Sequence, residues 1–214
     1  MAQSTAVARH IEGASVGWRF WLKWFLACLA GFVVGIPLFI GLGILLGDQP
    51  GPAVVQDVVT GVIHGAEFGI AQWLLLRRQV HKVGWWVGAS IVGFMIGFPL
   101  TKTLFGELSS GLVVAGGAGA VVGAIAGALQ WLVLRGRVGR AGWWVLASAL
   151  AWMVSTILGE VGALAAGVDF VADLLRVILG AALTGVGMVW LLRHTASGAH
   201  ADAAETAQTG GSQA

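Results

Sequence analysis

One phrase occurs twice in this chain, 58 residues apart: Gln72-Trp73-Leu74-Leu75-Leu76-Arg77 ahead of Trp85-Trp86, and Gln130-Trp131-Leu132-Val133-Leu134-Arg135 ahead of Trp143-Trp144. Each copy joins the end of one long apolar run to the start of the next through a short basic loop, with tryptophans on both sides. A pair of membrane helices turning round at a bilayer surface has this pattern, because cationic loops stay among the head groups and indole rings favour the same level. Trp73, Trp85, Trp86, Trp131, Trp143 and Trp144 are therefore expected as interface anchors.

The rest of the chain agrees with a membrane setting. With 57% hydrophobic and 10% charged residues, it has too few charged groups to coat a water-soluble globule of 214 residues. A hydrocarbon core about 30 Å thick needs roughly 20 apolar residues per helical span. Six segments qualify: Trp24 to Gly47, Ala53 to Leu76, Trp85 to Phe105, Ser110 to Leu134, Gly142 to Leu164 and Phe170 to Leu192. The spacing predicts an all-α transmembrane bundle over 24–193, made of hairpins at 24–76, 85–134 and 142–193. A polar N-terminal segment, 1–23, precedes it, and a tail, 194–214, is expected to be disordered. The first apolar run is longer than the apolar region of a cleavable signal and begins after Arg19 and Lys23, which reads as a retained span. Cys28, the only cysteine, lies inside that span, so neither an intramolecular disulfide nor a cysteine-based metal cluster is available.

Basic residues cluster at one end. Arg9, Arg19 and Lys23 precede the first span, Arg77, Arg78 and Lys82 join the second to the third, Arg135, Arg137 and Arg140 join the fourth to the fifth, and Arg193 follows the sixth. The opposite end has Asp48, Asp57, Glu107, Glu160, Asp169 and Asp173, balanced only by Lys102 and Arg176. By the positive-inside rule both termini are cytoplasmic, in the inner membrane of a bacterial cell.

The repeat extends beyond the loops. Trp24, Gly31, Phe32, Gly35, Pro37 and Leu38 fall on Trp86, Gly93, Phe94, Gly97, Pro99 and Leu100, and Trp144, Ala147, Ser148, Ala151 and Ser155 keep the frame more loosely. Gly61, Gly65 and Gly69 fall on Gly119, Gly123 and Gly127 at the 58-residue offset. A two-span unit returns the chain to its starting side, so three such units share one orientation and their pseudo-threefold axis runs along the membrane normal. Because lipid tails give apolar helices little reason to associate, stripes of small residues that let backbones approach are the expected helix contacts: Gly31 and Gly35, Gly61, Gly65 and Gly69, Gly93 and Gly97, and Gly119, Gly123 and Gly127. Pro37 and Pro99 predict kinks about a dozen residues into their helices.

Residues shared by the copies build the scaffold, and a costly residue found in one copy alone is a lead to function. His64 and Glu67 are such residues: their counterparts at the 58-residue offset are Val122 and Ile125. A charge near the middle of a span costs about 2.5–3.5 kcal/mol on insertion scales and usually faces protein or water. Spaced three apart, the two side chains can meet on one helix face and share a proton or form an ion pair. At 100° per residue Glu67 points away from the Gly61, Gly65, Gly69 stripe, toward a second helix, a cavity or another protomer. Three roles are open to the pair: a polar contact that sets helix register, a proton or ion pathway, or a ligand site. Gln72 and Gln130, at equivalent positions just inside the basic loops, read as structural. Glu160 is placed to pair with Lys102 or Arg176.

No enzyme is expected. Zinc-peptidase, nucleophile-elbow and P-loop patterns are absent. His10, His81, His194 and His200 lie outside the spans, which leaves His64 without a second axial ligand for haem. No metal or cofactor is expected, nor is nucleic acid a partner; the expected partners are the lipid bilayer and either a second copy of the chain or another membrane protein.

The phrase Q-W-L-x-L-R followed by G-W-W resembles one in uncharacterised multi-pass bacterial membrane proteins built from the same kind of hairpin. It covers both central junctions, while the third copy departs from it, with Met188 or Val189 where the glutamine belongs. No activity is attached to that group, so the resemblance assigns no functional residue. Two functions are carried forward: a non-catalytic scaffold or accessory subunit, which the glycine stripes and aromatic girdle favour, and a small transporter or proton-coupled channel using His64 and Glu67.

Overall fold

In the structure, a computed structural model, residues 16–46, 53–108 and 111–211 are described. Arg9, His10, Gly47, Asp48 and Ser110 lie outside them, as do the side chains of Asp169 and His200. Six helices follow in chain order: α1 (Trp18–Leu46), α2 (Ala53–Leu76), α3 (Trp86–Phe105), α4 (Leu112–Leu134), α5 (Trp143–Ala166) and α6 (Asp169–Gly211). Each contains a stretch long and apolar enough to cross a bilayer, and this is a multi-pass membrane protein in its architecture. Its outer surface fits only that setting: Val113 is 88% exposed and Ile44 77%, and lipid is the solvent that accepts such side chains without penalty.

Two boundaries differ from expectation by more than two residues. The first helix begins at Trp18 rather than Trp24, because Trp18-Arg19-Phe20-Trp21-Leu22-Lys23 contains no helix breaker and Phe20 buries its ring in the core. The sixth runs on to Gly211 through the tail expected to be disordered. That tail is rich in alanine, the best helix former, and has no proline. Extending a helix that the membrane span has already nucleated avoids the cost of starting one. Helices α1 and α3 continue through Pro37 and Pro99.

Each helix packs on its chain neighbours, and α1 packs on α6, so the six close into a ring. Glycine stripes set the tightest contacts. A Cβ on Gly61 would sit 2.6 Å from the Phe94 carbonyl oxygen, and one on Gly65 would collide with the Ile91 Cα, so α2 lies with its backbone against α3. Gly93 and Gly97 meet Ala126 and Val122 of α4, while Gly119, Gly123 and Gly127 meet Trp152, Ser148 and Val145 of α5. Gly31 and Gly35 meet Glu67 of α2. At the end of α5, Gly167 takes the left-handed conformation at φ 66° and its N–H bonds the Ala163 carbonyl, which lets the chain turn at once into α6.

The two basic loops have matching backbones. Val80 N–H bonds Leu76 O as Val138 N–H bonds Leu134 O, and Lys82 and Arg140 take left-handed φ of 58° and 57°. The Arg77 guanidinium lies 4.8 Å from the Trp73 ring centre and that of Arg135 6.0 Å from Trp131. Such cation–π contacts contribute about 0.5–1 kcal/mol at exposed sites.

The tryptophan pairs divide. Trp85 and Trp143 are exposed, whereas Trp86 and Trp144 are fully buried and do not face the head groups. Trp24, Trp86 and Trp144 pack centrally, with Trp144 5.8 Å from Trp86 and 6.3 Å from Trp24 between ring centres. Consecutive helical residues point about 100° apart, so one ring of each pair looks out and the other into the bundle.

Candidate functional site

The bundle is nearly solid at its basic end, where a void of about 20 Å³ lies beside Ser148 and Thr184, and hollow at its acidic end. In the basic half, the indole N–H groups of the central tryptophans need acceptors, and each has one. Trp86 donates to Gln72 Oε1 at 3.1 Å, Trp144 to Gln130 Oε1 at 2.8 Å, and Trp24 to Thr184 Oγ1 at 3.2 Å. The glutamine amides reach on to the preceding odd helix: Gln130 Nε2 donates to Ser90 Oγ at 2.9 Å, and Gln72 Nε2 contacts Cys28 Sγ at 3.9 Å. At the third junction Met188 stands where a glutamine would, and Ser148 Oγ is buried without a hydrogen-bond partner. Phe68, Phe94 and Trp152 form the next layer toward the acidic end, their ring centres 5.0–6.1 Å apart.

Above Trp152 all six helices line a partly open cavity of about 490 Å³. Its walls are mostly aromatic and aliphatic, including Phe32 and Phe39 of α1, Phe98 of α3, Val122 of α4 and Phe170 of α6. Three threonines (Thr60, Thr101, Thr156) and four ionisable residues (His64, Glu67, Asp173, Arg176) supply the polar groups.

His64 and Glu67 thus line one cavity, but the expected contact between them does not form among the described interactions. His64 Nδ1 lies 3.1 Å from the carbonyl oxygen of Thr60, one turn back. A carbonyl only accepts, so Nδ1 holds the hydrogen and Nε2 is the ring nitrogen available to another partner. The ring stands edge-on to Phe39 and Phe98, at 6.3 and 5.7 Å, which holds it away from the carboxylate. Glu67 turns instead toward α1, where its carboxyl group fills the space over Gly35; any side chain there would collide with it. Glu67 Oε2 is buried with no hydrogen-bond partner. The glycine pair of α1 therefore serves a carboxylate as well as a helix contact.

At the cavity rim, Arg176 pairs with Asp173 at 2.8 Å and with Glu160 at 3.4 Å. Lys102 pairs with Asp57 at 3.7 Å, tying α3 to α2 at the same end. Of the two bases within reach of Glu160 by sequence, Arg176 is the one it meets, because α5 and α6 are adjacent. Reasoning from sequence missed the aromatic layer beneath the cavity and the roles of Asp173 and the threonines. A usable signal was present for the polar layer: Cys28, Ser90 and Ser148 each follow a central tryptophan by one helical turn.

Comparisons with protein-family models, with curated proteins and with solved structures found no match.

Proposed function

We propose that this protein is a small, non-catalytic transporter of the bacterial inner membrane, with His64 and Glu67 at its solute site. The observation that carries the reading is the cavity: every helix contributes to it, and it contains a midplane carboxylate with an unpartnered oxygen. A residue so costly to place in a membrane span is found here in the lining of a cavity.

The architecture that goes with this reading is three parallel hairpins about a pseudo-threefold axis along the membrane normal. It is supported by the matching basic loops, by the paired Trp86–Gln72 and Trp144–Gln130 bonds and by the closed ring. With the basic loops cytoplasmic, the cavity faces outward and the two aromatic layers shut the path inward. Transport then requires those layers to part.

The solid basic half favours a second reading, a rigid scaffold or accessory subunit. The test is flux. Wild-type protein in liposomes should acidify a trapped pH dye when a proton gradient is applied, and Glu67→Gln should abolish the signal. No flux in the wild type, together with a defined homo-oligomer or a co-purifying membrane partner in mild detergent, would establish the scaffold instead.

A further inference from the structure

The charges and rings of this cavity specify what enters it. Arg176, the one permanently cationic lining residue among those described, already faces two carboxylates through its terminal nitrogens, Asp173 at 2.8 Å and Glu160 at 3.4 Å, while its buried Nε has no hydrogen-bond partner. An anion approaching that guanidinium would meet both acids first. Deeper in, Glu67 has Oε2 buried and unpartnered in a mainly apolar enclosure. A carboxylate so placed is costly unless a positive charge joins it or it takes up a proton. The same cavity is lined by Phe39, Phe98, Trp152 and Phe170, and aromatic faces attract cations that have shed water. Among the described residues no three His, Cys, Asp or Glu side chains converge as metal ligands, and the volume of about 490 Å³ suits an organic body rather than a bare ion.

We infer that the cavity binds an organic cation with bulky apolar substituents, its charge against the Glu67 carboxylate and its substituents against the aromatic walls. This rests on the reading of the cavity as a solute site and names the class of solute. Gly35 is part of the device: by having no side chain, it lets the carboxyl group lie at the wall and leaves the centre of the cavity open.

The test uses two ions of one shape and opposite charge, tetraphenylphosphonium and tetraphenylborate, measured by equilibrium dialysis against full-length protein in nanodiscs, with empty nanodiscs subtracted. Wild-type protein should bind the phosphonium saturably and the borate at least about tenfold more weakly, and Glu67→Gln should weaken phosphonium binding by about tenfold. Ala118→Phe, which fills the cavity, should abolish both. Equal binding of the two ions, still lost in Ala118→Phe, would overturn the cationic preference and leave the solute cavity standing. Saturable binding of neither ion would overturn both. Should Glu67→Gln fail to elute as a folded species, the ratio of the two ions on wild-type protein decides the question alone.

Discussion

The indole N–H of Trp144 bonds the side-chain oxygen of Gln130 at 2.8 Å, and the other face of the same amide donates to Ser90 at 2.9 Å. One glutamine on α4 thereby joins α3 to α5 across the middle of the bundle. Gln72 on α2 does the equivalent between α1 and α3, through Cys28 and Trp86. The repeated Gln-Trp phrase is thus more than a marker of where hairpins turn. It encodes a buried polar layer that bonds Trp86 and Trp144 to neighbouring helices under the cavity.

Gln130→Leu should be destabilising. The substitution keeps the volume but leaves the Trp144 N–H without its partner and removes the bond that the Ser90 hydroxyl accepts. A buried donor left unpaired costs about 1–3 kcal/mol, although membrane hydrogen bonds average nearer 0.6 kcal/mol. A loss of about 1–2 kcal/mol is expected in reversible unfolding in mixed micelles, and a loss indistinguishable from zero would show that water or a second conformer satisfies these groups.

Two serines at matching positions should respond in opposite directions. Ser90 accepts from Gln130 and donates to the Trp86 carbonyl at 2.9 Å, while Ser148 is buried without a partner. Ser90→Ala should cost about 1 kcal/mol, and Ser148→Ala should be neutral or stabilising, because removing an unsatisfied hydroxyl removes its desolvation cost. Met188→Gln should place an amide where Gln130 has its own, and reverse the ordering for Ser148. The same unfolding assay reads all three, and equal losses at Ser90 and Ser148 would contradict the bonding described here.

These contrasts show what was legible in the chain and what was not. The six spans could be read because each depends on local composition and spacing. The direction of Glu67 away from its own glycine stripe also followed from helical geometry. Its distance from His64 did not, because the outcome depended on the Thr60 carbonyl one turn back and on rings from α1 and α3. The burial of Trp86 and Trp144 was likewise hidden: composition places tryptophan near head groups, but only the closed ring decides which of two adjacent rings turns inward. The continuation of α6 to Gly211 was not read from the sequence, because a composition poor in apolar residues says nothing against extending a helix already formed.

Glycine substitutions separate contact from mere propensity. A side chain on Gly65 meets the α3 backbone at Ile91, whereas Gly41 in α1 has nothing within 4 Å of an added Cβ. Gly65→Val should force α2 and α3 apart at a cost of about 1–3 kcal/mol. Gly41→Ala should be neutral or stabilise by up to about 1 kcal/mol, since alanine is the better helix former and fills no occupied space. Thermal aggregation midpoints of the detergent-solubilised variants would rank them, and a Gly65→Val protein as stable as wild type would mean that these helices do not lie backbone to backbone.

The cavity should be reachable from one side of the membrane only, and the protein contains its own control. Thr101 lines the cavity, whereas Cys28, the only native cysteine, is buried in the tryptophan layer of the basic half. A Thr101→Cys variant in intact cells should react with a membrane-impermeant maleimide, because in the proposed topology the basic loops are cytoplasmic and the cavity, in the acidic half, faces outward. Wild-type protein should not react under the same conditions, since its one thiol is enclosed by protein. Inverted vesicles should reverse the exposure and protect Thr101→Cys as long as the aromatic layers stay closed. Labelling from the basic side alone would invert the topology. Labelling from both sides at comparable rates would mean that the layers at Trp152 and Trp144 open spontaneously, the motion a transporter requires and a rigid scaffold lacks.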